Sequence, residues 1–345
     1  MIFNQPFVSV LLSVYNGEKF LDKAIQSILD QTYKNFEFII INDGSRDKSL
    51  AEIQKFTDHR IVCINNKNKG LIASLNEGLG IAKGKYIIRM DADDICMPER
   101  IEKQVQYMEQ HPDAGLCGTS FTYFNEKFET VSRWKLSNSE IKVMLLYSCP
   151  ILHPTACIRA TTLKDNNLNY KNIIYCEDLA LWYDISKVSE IAILPEILLR
   201  YRVHANSISE TNRQQQNASA LTVYTKAFND LFTPELETQK SILEPQLYLV
   251  NAKPNLTFND LEQIIEFKKS IIKINKITGV HNDAVFKKIT ALNLYLLNYR
   301  FAQSFSLKLL WLYISKGYSI FLHMPGDKKL KFVVKCLMRK SVNNK

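Results

Sequence analysis

The sequence predicts an α/β protein, with a mostly parallel sheet flanked by helices and a helical extension after it. Three observations predict this. The first half alternates short apolar runs with amphipathic stretches, in the manner of βαβ units. The apolar runs are nearly continuous rather than alternating, as in strands covered on both faces. Beyond about residue 215 only helical periodicity remains.

The elements follow in order. Phe7 to Tyr15 reads as the first strand, and Glu18 to Thr32 as a helix with Phe20, Leu21, Ala24, Ile28 and Leu29 on one face. Phe36 to Ile41 is a second strand, ended by the turn residues Asn42, Asp43, Gly44 and Ser45. Asp47 to Phe56 is helical, Arg60 to Ile64 a third strand, and Leu71 to Ala82 a third helix. Tyr86 to Met90 is the fourth strand. Pro98 is expected in the first turn of the next helix, where proline is tolerated, and Pro112 stops that helix. Ala114 to Phe124 reads as a strand and Ser137 to Leu146 as a helix, while Ile151 to Arg159 and Ile191 to His204 read as extended. Glu177 and Asp178 open a helix with Leu179, Trp182, Ile185 and Val188 on its apolar face. A polar stretch from Ser209 to Ser219 separates an expected catalytic domain, residues 1–215, from a helical region, residues 216–345.

With 345 residues, 46% of them hydrophobic, the chain can bury a proper core. Its seven cysteines are scattered, with no C-x-x-C pair, which argues against a disulfide framework or zinc site and for a reducing, cytoplasmic setting. No amino-terminal segment has the form of a signal peptide. The net charge of +9 is concentrated in residues 300–345, where ten Lys and Arg face the single acid Asp327.

Chemistry concentrates at Met90-Asp91-Ala92-Asp93-Asp94. The fourth strand delivers three carboxylates to its carboxyl end, the edge at which open α/β sheets bind ligands. With no basic residue inside that run, the carboxylates repel one another unless a cation joins them. A hard divalent ion, Mg²⁺ or Mn²⁺, uses few carboxylates and shares its remaining shell with phosphate oxygens. A solvated acidic turn capping the next helix is the other reading of these residues. Ser13, Tyr15 and Asp43 fall at the ends of the first two strands and so share the same edge. Neither G-x-G-x-x-G nor G-x-x-x-x-G-K-[ST] occurs, so no glycine-rich loop is available to cradle phosphates.

The runs VSVLLSVYNGEKFLDKAIQSILDQTYKNFEFIIINDGS (8–45) and NKGLIASLNEGLGIAKGKYIIRMDADD (68–94), with Glu177-Asp178, resemble family 2 glycosyltransferases. These are inverting enzymes with a Rossmann-like, A-type nucleotide-diphospho-sugar transferase fold. The resemblance spans roughly residues 5–210. It implies that Ser13 and Tyr15 line a nucleotide pocket, that Asp43 meets the base and Asp91 the ribose, that Asp93 ligates the metal, and that Asp178 is the catalytic base. Asn42 stands where the family often has Asp. Two further residues are candidates: His204, in a segment resembling the family's closing motif, for the metal site, and Lys69 for the diphosphate. His153 is an acceptor-side candidate, and Arg202 a partner for phosphate charge.

Each site also has a plainer reading. Glu177-Asp178 places negative charge at a helix amino terminus, which is stabilising in itself, and Asp43-Gly44-Ser45 makes a turn without chemistry. The expected activity is transfer of a sugar from a nucleotide-diphosphate donor, a UDP-sugar, to a glycan or lipid-linked acceptor in surface polysaccharide assembly. The rivals are a sugar nucleotidyltransferase and a non-catalytic glycan-binding scaffold. The basic tail, Lys328 to Lys340 in particular, reads as an amphipathic helix for the inner face of an anionic membrane, giving a peripheral protein. A solvated helical cap is the alternative there; no recognised nucleic-acid module accompanies the charge.

Overall fold

The computed structural model describes residues 6–204, 211–247, 256–298 and 306–338. The chain divides into two compact units, Met1–Asn138 with Pro150–Arg213, and Ser139–Cys149 with Gln214–Lys345.

The first unit is built on one nine-stranded mixed sheet. Its elements are β1 (Val8–Val14), α1 (Leu21–Leu29), β2 (Phe36–Asn42), α2 (Ser49–Gln54), β3 (Ile61–Asn65), α3 (Leu71–Ile81), β4 (Tyr86–Met90), β5 (Ile95–Cys96), α4 (Arg100–Gln110), β6 (Ala114–Phe124), β7 (Glu129–Ser132), α5 (Asn138–Met144), β8 (Cys157–Arg159), α6 (Ala160–Asp165), α7 (Glu177–Val188) and β9 (Glu190–Arg202). Of these, helix α5 opens on the last residue before the border and from Ser139 onward belongs to the second unit. The strand order is β3-β2-β1-β4-β8-β6-β9-β5, with β7 on β6. Strands β1 to β4 run parallel, as their apolar runs predict, and every residue of β1, β2 and β4 is buried. Beyond β4 the sheet turns mixed: β8 lies antiparallel to β4 and β6, and β9 runs parallel to β6.

Differences from the sequence reading have local causes. Pro98 lies ahead of α4 rather than in its first turn, because the Met97 amide donates to Leu198 and the Pro98 carbonyl accepts from Thr32. The stretch expected to be extended from Ile151 to Arg159 contains a 3₁₀ turn at His153–Thr155 before the short strand β8. Strand β5 is only two residues long and carries no periodicity of its own. Its pairing with β9 makes it a strand.

The amino-terminal edge of the parallel strands is clamped by a small polar network. Ser9 Oγ donates to Glu37 Oε1 (2.6 Å), which also accepts from the Lys83 amide, and the Gly84 amide donates to Ser9 Oγ (2.8 Å). A Cβ on Gly84 would stand 2.3 Å from the Ser9 nitrogen and 2.7 Å from the Tyr86 oxygen, all main chain that cannot rotate away. Gly84→Ala is therefore expected to lower stability by at least the roughly 1–3 kcal/mol typical of overpacking, read as a lower urea midpoint. An unchanged midpoint would mean the turn relaxes freely.

The described elements of the second unit after α5 are helical: α8 (Arg213–Asn229), α9 (Glu237–Leu243), α10 (Phe258–Thr278), α11 (Asp283–Leu297), α12 (Leu307–Ser315), α13 (Tyr318–Phe321) and α14 (Gly326–Leu337). Helix α10 opens on a capping box between Thr257 and Asp260 and closes on Gly279 in a left-handed conformation, the start and stop signals its sequence carries. Among the described residues, no helix is long and apolar enough to cross a membrane.

Candidate active site

From β1 the chain moves outward through β2 and β3, then returns to β4 on the other side of β1. The carboxyl ends of β1 and β4 therefore flank a topological switch point, the crevice where open α/β sheets bind ligands. Tyr15 follows β1 there and is 48% exposed, while Ser13, inside the strand, is buried. The loop after β1 is stitched to the loop after β2. Asn16, at a positive φ of 54°, accepts the Arg46 amide, and the amides of Asn16 and Gly17 donate to Ser45 Oγ and Ser49 Oγ.

Asp43 is buried at the end of β2. Its two carboxylate oxygens accept the amides of Lys69 and Gly70, each at 2.9 Å, and so anchor the start of α3. The Lys69 ammonium pairs with Glu77 of α3, whose same oxygen accepts from Asn66 Nδ2 at 2.7 Å. Next to Glu77, Asn76 accepts the Tyr170 amide (3.0 Å) and donates to the Tyr170 carbonyl (2.8 Å), fixing the loop that leads into α7.

At the end of β4, Asp91, Asp93 and Asp94 each offer a carboxylate oxygen, all within 4.8 Å of one another. The expectation that these carboxylates lack basic company is corrected here. Arg89, buried two residues earlier, turns its guanidinium onto Asp91. Arg202, at the end of β9, donates its amide to Asp94 Oδ1 (2.8 Å) and its Nε to the Asp93 carbonyl (2.7 Å). Its guanidinium packs over the rings of Phe20 and Phe124 at 4.3 and 4.5 Å, held among aromatics rather than extended into solvent. His204 Nε2 lies 2.8 Å from Asp93 Oδ2 and meets the cluster through that residue, outside the tight set of three oxygens.

Even so, the cluster is short of positive charge. Asp94 Oδ2 is buried with no hydrogen-bond partner. Burial raises the carboxyls of Asp91 and Asp94, Asp94 well above the usual range, and the charge of Asp93 adds to both, while Arg89 pulls Asp91 back. Close all-oxygen donors, one of them orphaned, suit a hard divalent cation, and a bound cation would relieve the same repulsion.

Helix α7 begins with Glu177 and Asp178. Burial pushes Asp178 up to about 6, although its Oδ1 accepts the Leu179 amide. Burial and the Asp178 charge push Glu177 up to about 7. The charges of Arg89 and Asp91 act on both residues, so the helix start and the acid cluster share one electrostatic neighbourhood. His153, an acceptor-side candidate in the sequence, is buried instead. Its Nε2 is 2.9 Å from the Tyr170 hydroxyl, and its Nδ1 is 3.8 Å from Glu177. Burial, then Arg89, keeps its imidazole neutral.

The sequence profile described as Glycosyl transferase family 2 matches residues 9–165. An uncharacterized glycosyltransferase of Haemophilus influenzae is 40% identical over 232 residues, covering 63% of this chain and 72% of that protein. The chain belongs to glycosyltransferase family 2. Another relative, from Escherichia coli, is described as UDP-Glc:alpha-D-GlcNAc-diphosphoundecaprenol beta-1,3-glucosyltransferase WfaP; it is 36% identical, covering 59% of this chain and 79% of that one. Among solved structures, a mannosyltransferase from Pyrobaculum calidifontis, in complex with GDP-Man and Mn²⁺, superposes with a TM-score of 0.56 at 15% identity, covering 97% of this chain and 88% of that chain. At that identity the likeness shows the fold alone, an A-type glycosyltransferase fold, as expected.

Three residues of this family 2 chain escaped the sequence reading: Arg89, Asn76 and Tyr170. Only Arg89 left a signal. A charged residue inside an otherwise apolar strand needs a partner, and Asp91 is two positions on, the period that keeps strand side chains on one face. Asn76 and Tyr170 act across 94 positions of sequence, which no local pattern reports.

Proposed function

We propose that this family 2 glycosyltransferase moves one sugar from a UDP-sugar to a hydroxyl of a lipid-linked glycan during surface polysaccharide assembly, inverting the anomeric centre. The observation that carries this reading is the set of three carboxylate oxygens within 4.8 Å at the sheet's switch point, in the same electrostatic neighbourhood as Asp178. The names of two similar proteins point the same way: one uses UDP-glucose with a diphosphoundecaprenol-linked acceptor, and another, AmsE of Erwinia amylovora, serves amylovoran biosynthesis.

In this reading Ser13, Tyr15 and Asp43 border the nucleoside, Asp91 the ribose and Lys69 the diphosphate. Asp93, with its neighbours and with His204 against its Oδ2, would hold Mn²⁺ or Mg²⁺. When bound, that ion neutralises charge developing on the leaving diphosphate. Asp178 accepts the proton of the acceptor hydroxyl as its oxygen attacks the anomeric carbon. The bond from that carbon to the diphosphate oxygen breaks, its electron pair leaves with UDP, and an α-linked donor gives a β-linked product. The acceptor's lipid implies work at the cytoplasmic face of a membrane, with the basic carboxy-terminal segment as the point of attachment.

A panel of nucleotide sugars, scored by thermal shift and by nucleotide release with and without Mn²⁺, tests the reading. The expected result is an Mn²⁺-dependent shift and UDP release with at least one UDP-sugar. Release of pyrophosphate, or no response to any donor, would overturn it, the second outcome leaving a glycan-binding scaffold.

A further inference from the structure

Two helices near the carboxyl end are apolar on opposite faces. In α12, Leu309, Leu312 and Tyr313 are buried, and in α14 Phe332 and Cys336 are; the Tyr313 and Phe332 rings meet at 4.5 Å. These inward faces satisfy the packing of the unit. On the other side of α12, Leu307, Trp311 and Ile314 follow at i, i+4 and i+7, and Tyr318 of α13 is exposed as well. On the other side of α14, Leu330, Val334 and Leu337 repeat the same spacing. At 3.6 residues per turn each triplet lies within roughly 60° of arc, opposite the buried face of its helix. Trp311 is 67% exposed and Leu330 66%. A helix that merely caps a domain needs one apolar face; these have two.

The geometry points to these two outward helix faces, Leu307/Trp311/Ile314 of α12 and Leu330/Val334/Leu337 of α14, as the parts of the protein that bed into an anionic lipid bilayer. Charge selects the occupant. Between Leu307 and Met338 six lysines (Lys308, Lys316, Lys328, Lys329, Lys331 and Lys335) stand against Asp327, with Glu262 of α10 balancing Lys316 at 2.9 Å. A second copy of the chain docked on these faces would set lysines against lysines, whereas acidic headgroups complement them. Trp and Tyr suit the boundary between acyl chains and headgroups. Since none of the described helices can span a bilayer, the attachment is in the plane of the surface.

This inference rests on the proposed lipid-linked acceptor for its role, but its test needs no sugar. The full-length protein is floated with vesicles of equimolar phosphatidylglycerol and phosphatidylcholine, and with phosphatidylcholine alone. Wild type is expected to float with the first, less so as salt rises, and hardly with the second. The variant carrying Trp311→Ser, Leu330→Ser and Val334→Ser should bind at least about tenfold more weakly, since three exposed apolar side chains are withdrawn. Its thermal unfolding and its nucleotide release without vesicles should match wild type, because none of the three packs in the core or touches the candidate site. Equal flotation of variant and wild type, or no preference for anionic lipid, would overturn these faces as the lipid contact while leaving sugar transfer untouched. Intact flotation with no transfer to any acceptor would overturn the proposed function instead. Concentration-dependent dimerisation of wild type that the triple variant loses would overturn the bilayer as the occupant of these faces, in favour of self-association.

Discussion

Asp178→Asn is expected to lower kcat about 10²- to 10⁴-fold, the usual contribution of a positioned general base, while donor affinity stays near wild type. The amide keeps the shape and the bond from the Leu179 amide, but it cannot take a proton from the acceptor. Only transition-state stabilisation is lost, so kcat should fall without a matching rise in donor KM. The pH dependence follows from the same carboxyl. Burial holds Asp178 at about 6. The active form is the ionised one, so wild-type rate should fall as pH drops through about 6 and level off above it. In Asp178→Asn that acid limb should vanish from the residual rate. A variant with unaltered kcat, or one that keeps the limb, would remove Asp178 from the role of base and leave it as a charge at the start of α7.

Asp93→Ala should cost about 10²-fold or more in transfer, because a bound metal's stabilisation of a leaving diphosphate amounts to several kcal/mol. Stability is expected to separate this effect from misfolding. In wild type, Asp93 adds to the repulsion that raises Asp91 and Asp94, and Asp94 Oδ2 has no partner. Removing Asp93 without metal therefore relieves strain, although it also frees His204. The variant should melt close to wild type without Mn²⁺ and fail to gain from its addition, whereas wild type gains by ligand linkage. Equal Mn²⁺-dependent gains in both proteins would mean that the ion, if it binds, sits elsewhere.

Strands β1, β2 and β4 were legible because continuous burial leaves a continuous apolar run, and the turns after them are spelled by Asn16-Gly17, Asp43-Gly44 and the acid run. The placement of Asp91, Asp93 and Asp94 was legible for the same reason, since a strand's carboxyl end can be read once the strand is known. The company those acids keep was not. The Arg89 pairing demanded notice of a two-residue spacing inside a strand, and the Arg202 and His204 contacts depend on β9 arriving from more than a hundred positions away. The register of that arrival includes bulges near Thr119 and Ser120, which local propensity does not encode. Likewise, the tail's lysines announced charge, but its second apolar face shows only once Phe332 and Cys336 are known to point inward.

The two-residue strand β5 has one partner among the described residues: Ile95 pairs with Arg200 and Cys96 with Leu199. On a ribosome, the four parallel strands can assemble as soon as they emerge, since each finds its neighbours within a short stretch of nascent chain. The acid turn must wait. Until residues 199–204 clear the exit tunnel, nothing closes β5 or takes up the carboxylates of Asp93 and Asp94, so synthesis would finish the four parallel strands first and the acid turn, with β5 and β9, last.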